Sequence, residues 1–205
     1  KNIAGAAQPS DLAVPEWATD AVNRMGSDHR RLEGLIAPGT WNIDADHTEI
    51  GFVARHLAVT KVKGRFTDVS VNAEAAEDRK NSTLEFTVQT ASVQTRNADR
   101  DGHLKSADFF DVEQYPTMTF NATNIGDDTI TGDLTIKDVT KPVTFSYDFN
   151  GVATDPWGAT RAGFEASGEI NRNDFGMTFN APLDGGGVLI SEKIKINLDL
   201  EFTKA

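Results

Sequence analysis

The chain contains no cysteine among its 205 residues. This absence excludes disulfides, thiol catalysis, and metal or iron–sulfur sites that use Cys ligands. It does not fix the compartment, because many exported bacterial proteins also lack cysteine. No apolar run approaches the roughly eighteen residues of a membrane-spanning helix. We therefore expect no stable insertion into a membrane.

Positive charge is in short supply, with 20 Lys and Arg against 31 Asp and Glu and a net charge of −11. Because a polyanion is bound through clustered Lys and Arg, this balance predicts no nucleic-acid partner. It also argues against adsorption to an anionic membrane surface. The sequence starts at Lys1 and shows no signal-peptide core. This pattern predicts either an intracellular protein, which we favour, or an exported protein whose signal has been removed.

Residues 1–39 are predicted to form an extension with short helices. Trp17, Ala21 and Met25 recur every four residues, as on one face of a helix. A second short helix is expected before Pro38. The apolar stripe of this helical arm must pack on something, either the rest of the chain or a partner chain. A homodimer is therefore one of the open outcomes.

From Trp41 onward the apolar residues recur at every second position, as in Ile194–Phe202. Roughly eight such segments follow one another without intervening helices, and short turns join antiparallel strands. Their apolar faces can be buried between two sheets or inside one closed sheet. The late segments are long and few are apolar on both faces, which favours an all-β, antiparallel eight-stranded barrel over residues 40–205. Such a barrel can be filled by side chains or can hold one slender ligand.

The faces expected to point inward combine large Phe, Ile and Leu with small residues. The small residues are Ala54, Ala58, Ala122, Ala166 and Gly168. One interpretation is that they fit against large neighbours in a packed core. The other is that they keep a tunnel open, whose apolar lining would suit a lipid tail. The pattern leaves both interpretations open.

A series of short motifs runs in a fixed order through residues 40–203. The motifs are Trp41–Asp44 with His47 and Phe52, Arg55–Leu57, Val62–Phe66, Ser92–Thr95, Arg100–Leu104, Ser106–Asp111, Tyr115–Pro116 with Phe120, Gly132–Ile136, Thr140–Val143 and Arg172–Gly176. In this order they resemble the YceI-like domain family. The resemblance implies an extended, lipocalin-like antiparallel barrel whose long hydrophobic pore holds a polyisoprenoid or a similar amphiphilic lipid. It also implies a short helical insertion over residues 101–115, and it does not cover residues 1–39.

The lipid contacts that we predict combine an apolar pore with a polar rim. Phe109 and Phe110 are expected to be apolar plugs, with at least one lining the pore. Arg100, beside His103, is the candidate contact for a polar head group, because a guanidinium can hold a phosphate bidentately. The alternative is that Arg100 forms an ion pair with a nearby Asp and only fixes the loop. The full predicted set is Phe52, His56, Phe66, Phe86, Arg100, His103, Phe109, Phe110, Phe120, Leu134, Phe145 and Phe175.

The four histidines show no metal-binding spacing, since neither HxH nor HExxH occurs. We therefore predict no metal site and no cofactor. His56 is expected to be a buried, hydrogen-bonded strand residue, and His47 is expected to pair with Asp44 or Asp46. The carboxylates at positions 101, 108 and 111 could in principle act as acid and base. A solvated acidic helix face explains their spacing better, so no catalytic residue is predicted.

These observations favour a non-enzymatic protein that binds, sequesters or transports a long-chain amphiphilic lipid of the polyisoprenoid or isoprenoid-quinone type. One alternative is an enzyme that acts on such a lipid through His103 and the nearby carboxylates. The other is a stress-related interaction module that dimerises through the helical arm.

Overall fold

The computed structural model describes residues 36–205, and the predicted helical arm lies outside them except for its last residues. The described part contains eleven β-strands and one α-helix. Their bounds are β1 Gly39–Ile43, β2 Glu49–His56, β3 Thr60–Phe66, β4 Val69–Ala75, β5 Thr83–Gln89, β6 Val93–Gln94, α1 Ala98–Lys105, β7 Thr117–Ile125, β8 Thr129–Ile136, β9 Val139–Thr154, β10 Thr160–Asn171 and β11 Lys193–Lys204. Among these residues, no helix has the length and apolar character needed to cross a bilayer.

Eight strands form a closed ring in the order β1-β4-β5-β7-β8-β9-β10-β11. All neighbouring pairs are antiparallel, and the ring closes where Trp41 of β1 lies opposite Lys204 of β11. The first half of β11 pairs with β2 instead, with Ile196 opposite Phe52. β11 therefore pairs with β10 along one side, and with β1 and β2 along the other. The predicted eight-stranded antiparallel barrel is confirmed.

The period-two pattern explains why these segments form the barrel wall. In β11 the exposure alternates residue by residue, so that its Ile and Leu side chains point inward while Lys195 and Asn197 are exposed. The core inside the ring is rich in phenylalanine, with Phe86, Phe120 and Phe145 among its buried members. The ring thus encloses an apolar interior.

The stretch after β6 is the main departure from strand structure. The side chain of Asn97 caps α1 by accepting a hydrogen bond from Arg100 N at 2.9 Å, which satisfies a free amide of the first turn. The helix begins at Ala98, three residues before the predicted start of the insertion, and ends at Lys105. Turns then bring Phe109 and Phe110 into the core, where both are buried.

A second irregular segment spans residues 176–192, between β10 and β11. Gly186 and Gly187 have φ values of 86° and 92°, which glycine adopts without steric cost. The glycine run at residues 185–187 therefore lies at the tip of a loop. The loop returns to the barrel through an isolated bridge between Ile190 and His56 of β2.

Candidate functional site

The barrel encloses a cavity of about 750 Å³. This volume lies within the range of pockets that bury small ligands. Most of the lining side chains are apolar, including Phe86, Leu134 and Ile196. All of the predicted contact residues except Phe175 line this cavity; they are Phe52, His56, Phe66, Phe86, Arg100, His103, Phe109, Phe110, Phe120, Leu134 and Phe145. Phe175 is buried but outside the lining. Direct contact of these residues with a lipid stays a prediction.

Aromatic pairs give the cavity wall its shape. Phe66 meets Phe110 edge to face, with ring centroids 5.5 Å apart and planes at 87°. Phe120 and Phe145 make a similar pair at 5.4 Å and 84°. Such edge-to-face contacts contribute about 0.5–1.5 kcal/mol each beyond the area that they bury. The double phenylalanine therefore plugs the core as predicted, and both rings also line the cavity.

The small inward residues serve both of the roles that the sequence left open. The ring of Phe145 occupies the space beside Gly168, since a Cβ at position 168 would lie only 2.7 Å from that ring. Ala54 and Ala166, in contrast, line the cavity. Ala58 belongs to the β2–β3 turn and has no part in the interior. Packing and an open interior therefore coexist in the same barrel.

We call the end of the cavity formed by the β2–β3 turn, α1 and residues 176–192 the mouth. Arg55, His56 and Arg100 line the cavity at the mouth and are also exposed to solvent. The expectation that His56 is buried and hydrogen-bonded is wrong, because it is the last residue of β2 and is exposed.

Arg100 uses two of its donor nitrogens within the chain. Its Nε donates to Thr95 Oγ1 at 2.8 Å and its Nη2 donates to Thr95 O at 2.6 Å. Asp101 accepts hydrogen bonds from the same Thr95 and makes no ion pair with Arg100. The predicted alternative, an ion pair between Arg100 and Asp99, Asp101 or Asp174, is therefore wrong.

His103 lies at the mouth between two aromatic rings. Its ring centroid is 5.0 Å from that of Phe109 and 4.8 Å from that of Phe179, in edge-to-face contacts. His103 Nε2 lies 2.8 Å from Asp108 Oδ2, and both side chains are about half exposed. The residue thus joins α1 to the loop at residues 176–192, with its ring at the edge of the cavity.

Arg172 is buried, with 3 % of its surface exposed. Its guanidinium donates to the backbone carbonyls of Met177, Phe179, Ile190 and Ser191. No ion pair forms between Arg172 and its sequence neighbour Asp174 among the described residues. Burial lowers the pKa of Arg172. Irregular backbone near the core needs donors for its carbonyls, and Arg172 supplies them. It holds the loop at the mouth and lines the cavity.

At the opposite end of the barrel, which we call the far end, Arg79 and Tyr147 line the cavity. Arg79 Nη2 pairs with Asp127 and its Nε donates to Ile125 O, while Nη1 is buried and has no acceptor among the described residues. The Tyr147 hydroxyl donates to Gly126 O at 2.5 Å, and burial raises its pKa. Sequence reasoning missed Arg79, because its neighbours form a charged turn that resembles a solvated surface segment.

A charged cluster outside the cavity surrounds Arg161. The guanidinium pairs with Asp44, with Asp155 at 2.9 Å and with Glu201 at 3.4 Å. His47 Nδ1 lies 2.9 Å from Asp44 Oδ2, as predicted. Hydrogen bonds from His47 and Arg161 lower the pKa of Asp44 to about 2. The Asp44 hydrogen bond and the charge of Glu201 raise the pKa of His47.

The ligand atoms of Asp44, His47 and Glu201 lie close enough together to hold a metal ion. Arg161 already supplies positive charge to both carboxylates of this group. A cation at the same place would be repelled by the guanidinium. We therefore interpret the cluster as an ion-pair network.

The pattern of the YceI-like domain family matches residues 41–202. The chain belongs to the YceI-like domain family. A UPF0312 protein of Staphylococcus epidermidis is 39% identical over 165 residues, which are 80% of this chain and 96% of that relative. The resemblance predicted from the motifs is confirmed.

Solved structures agree with the YceI-like assignment. The YCEI protein of Campylobacter jejuni is 32% identical, with a TM-score of 0.62 over 74% of this chain and 90% of that chain. A polyisoprenoid binding domain from Saccharophagus degradans has a TM-score of 0.63 at 14% identity, over 82% of this chain and 99% of that chain. At this low identity the second comparison shows the YceI-like fold alone.

Proposed function

We propose that the chain binds a long-chain amphiphilic lipid, of the polyisoprenoid or isoprenoid-quinone type, inside its barrel and sequesters or carries it. The observation that carries this proposal is the apolar cavity of about 750 Å³, whose lining reaches from His56 at the mouth to Arg79 at the far end. The name of the polyisoprenoid binding domain from Saccharophagus degradans, which shares the fold, supports the choice of ligand class.

The apolar lining can supply the affinity without any chemical step. Burial of an alkyl chain contributes about 0.8 kcal/mol per CH₂ group. A lipid that buries about ten such groups gains roughly 8 kcal/mol, which corresponds to micromolar binding before the costs of ordering are counted. Binding without catalysis therefore accounts for the site, and we propose that the protein is not an enzyme.

We place the polar end of the lipid at the mouth, against Arg100 and His103. Arg55 and His56 line the same end of the cavity, so several groups able to carry positive charge surround one opening. Arg79 at the far end is the competing anchor, because its Nη1 has no acceptor within residues 36–205. Arg79 is already charge-paired with Asp127, which makes it the weaker candidate for an anionic head group.

Extraction of the purified protein with organic solvent, followed by mass spectrometry, tests the proposal. We expect an amphiphile with a long hydrocarbon chain. Ala166→Phe fills the cavity and should strongly reduce the extracted lipid, whereas Ser167→Phe, the next residue on the outer face, should leave it unchanged. A lipid-free extract from the unaltered chain, or equal loading of the two variants, would contradict binding in the cavity.

Variants of the two arginines locate the polar end of the lipid. Arg100→Leu should weaken retention of a lipid that has an anionic head group and leave retention of an uncharged lipid unchanged. Arg79→Leu is the matched variant at the far end and should have the smaller effect. The reverse order would move the head group to the far end.

One observation favours a second candidate, an enzyme that acts on the lipid. The His103–Asp108 pair lies at the cavity edge, and a histidine that is hydrogen-bonded to a carboxylate can act as a general base. His103→Ala should then retain lipid but convert none of it, as measured by mass spectrometry of lipid incubated with each protein. Identical lipid recovered from both proteins would leave binding as the only role.

A further inference from the structure

We propose that the β2–β3 hairpin is a docking surface for anionic lipid bilayers and brings the mouth of the cavity to the membrane. Apart from Glu49 at the start of β2, the β2–β3 hairpin contains no Asp or Glu, and it carries Arg55, Lys61, Lys63 and Arg65 in a chain whose net charge is −11. The hairpin is therefore a basic island on an acidic protein. Loading or release of a lipid at this surface rests on the proposed function, whereas bilayer binding itself does not.

The four basic side chains of the hairpin are all exposed to solvent. Ala54 and Val62 lie opposite each other and line the cavity, so the alternate residues Lys61 and Lys63 face outward. Arg55 lies directly opposite Lys61, and like charges in such cross-strand positions destabilise a sheet. Within residues 36–205 none of the hairpin's cations forms an ion pair with a carboxylate. An anionic partner would remove this repulsion.

The tip of the hairpin is apolar and conformationally unusual. Leu57 and Ala58 have φ values of 55° and 59°, in the left-handed region where two-residue hairpin turns favour Asn and Gly. Val59 is 73% exposed and Leu57 is 39% exposed. Val188, 44% exposed, belongs to the adjoining loop, which accepts a hydrogen bond from Leu57 N at Leu189 O. The exposed apolar side chains at the tip can enter the apolar part of a bilayer, while the neighbouring cations contact its anionic head groups.

The docking surface is continuous with the cavity. Arg55 and His56 of the hairpin line the cavity, as do Leu189 and Ile190 of the adjoining loop. A bilayer in contact with Val59 and Val188 would therefore lie next to the opening. A lipid tail could pass between the bilayer interior and the barrel cavity with little exposure to water.

The net charge of the whole chain predicted no adsorption to an anionic membrane, but adsorption depends on the local field. Charges separated by more than about 10 Å are largely screened at 0.1 M salt. Lys195 of β11 lies beside the basic surface, but Glu169 lies directly opposite it and pairs with Lys193. Asp184 and Glu192 of the adjoining loop also oppose the basic surface. Docking should therefore depend strongly on salt and on the anionic lipid content.

Another exposed apolar side chain, Trp157, lies in the β9–β10 turn at the other end of β11 and is 88% exposed. Its neighbours include Asp155 and the carboxylates of Asp44 and Glu201 around Arg161. An anionic surface would repel this acidic end. Trp157 is therefore an exposed apolar residue that should not contribute to vesicle binding, and it provides the control for Val59.

Co-sedimentation of the full chain with vesicles tests the docking surface. We expect binding to vesicles of phosphatidylcholine with phosphatidylglycerol, loss of that binding in high salt, and little binding to phosphatidylcholine alone. Lys61→Gln should weaken binding about fivefold, since each cation near an anionic surface contributes about 1 kcal/mol. Lys80→Gln, an exposed lysine at the far end, should not change it.

The apolar contribution has its own matched pair of variants. Val59→Ser should weaken vesicle binding about tenfold, because a valine side chain no longer enters the interface. Trp157→Ser should leave binding unchanged. Loss of binding with Trp157→Ser, equal binding of Lys61→Gln and Lys80→Gln, or no salt-dependent binding at all would overturn the proposal. The lipid extract from the same preparation separates this failure from a failure of the proposed function, because it is measured without vesicles.

Discussion

The β9–β10 and β2–β3 hairpins turn the chain at opposite ends of β11 and use different chemistry to do so. In the β9–β10 turn, Asp155 Oδ1 accepts hydrogen bonds from Trp157 N and Ala159 N, both at 2.9 Å. Gly158 takes a φ of 91°, and Arg161 pairs with Asp155. These are the residue types that tight turns favour, because Asp bonds to its own backbone and glycine has no Cβ.

The β2–β3 turn has none of these features. Leu57 and Ala58 occupy the left-handed positions, and Arg55 faces Lys61 across the strands. Natural chains keep local arrangements that reduce stability mainly where a function requires them. The β9–β10 hairpin is therefore stabilised by its own turn residues, whereas the β2–β3 hairpin has the less stable arrangement that the proposed docking surface would explain.

The largest effect is expected at Arg172, which secures the loop that adjoins the β2–β3 hairpin. Arg172→Met removes the donor from the buried carbonyl of Met177 and from the part-buried carbonyls of Phe179 and Ser191, at a cost of about 3 kcal/mol or more. The melting temperature should fall by roughly 6–12 °C. Arg172→Lys keeps the charge but cannot reach as many carbonyls. Its melting temperature should therefore lie between those of the unaltered chain and Arg172→Met. Calorimetry measures both, and an unchanged melting temperature would show that the loop needs no such support.

Gly64 tests how tightly the β2–β3 hairpin packs against the cavity wall. An alanine Cβ at this position would lie 2.2 Å from Phe52 Cζ, so the ring must move toward the cavity. We expect Gly64→Ala to lower the free energy of unfolding by about 1–3 kcal/mol. Gly163→Ala is the control, because its nearest neighbour would lie at an ordinary 3.6 Å. Denaturant titration distinguishes them, and equal midpoints would contradict close packing at Gly64.

Two turn substitutions test the comparison directly. Ala58→Gly should raise the free energy of unfolding by up to about 1 kcal/mol, because glycine relieves the left-handed strain. Asp155→Ala should lower it by about 1 kcal/mol, since two turn amides lose their acceptor. If Ala58→Gly is destabilising, the β2–β3 turn carries no strain. Vesicle binding of Ala58→Gly should be retained, because Val59 and the cations remain.

The smallest effect is a pH dependence of the Arg161 cluster. A raised pKa means that His47 stabilises the fold below its ordinary pKa of 6.5, and that this contribution is lost as pH rises through the folded value. A lowered pKa of about 2 means that Asp44 stabilises the fold above its ordinary 3.8, and less as pH falls toward 2. The melting temperature of the unaltered chain should exceed that of His47→Gln more at pH 5.5 than at pH 8. An equal difference at both pH values would contradict the raised pKa.

The barrel could be predicted because each strand is marked by an alternation of apolar and polar residues within its own short segment. Alternation in Ile194–Phe202 defines an inward face whatever the partner strand is, and the order of the motifs identified the family. The cavity lining followed from the same alternation, which is why Phe86 and Phe120 were assigned inward correctly.

The misassigned residues depend on contacts between distant parts of the chain. Arg172 donates to carbonyls that come after it in an irregular loop, and no periodicity marks that loop. His56 is exposed because β2 ends at the barrel rim, a limit set by its partner strands. Arg79 reaches the interior from a turn whose composition resembles solvated surface. The arm at residues 1–35 lies outside the described residues, so its helices and any dimer stay predictions.

The position of β11 in the chain has a consequence for how the barrel is made. β11 pairs with β10, β1 and β2, and every other strand precedes it in the sequence. During synthesis the seven other strands of the ring can pair as an open, curved sheet, but the ring cannot close until β11 has left the ribosome. Until then the apolar inner face stays accessible to chaperones and to other nascent chains. The interior that would hold a lipid is therefore enclosed only after β11 has paired with both β10 and β1.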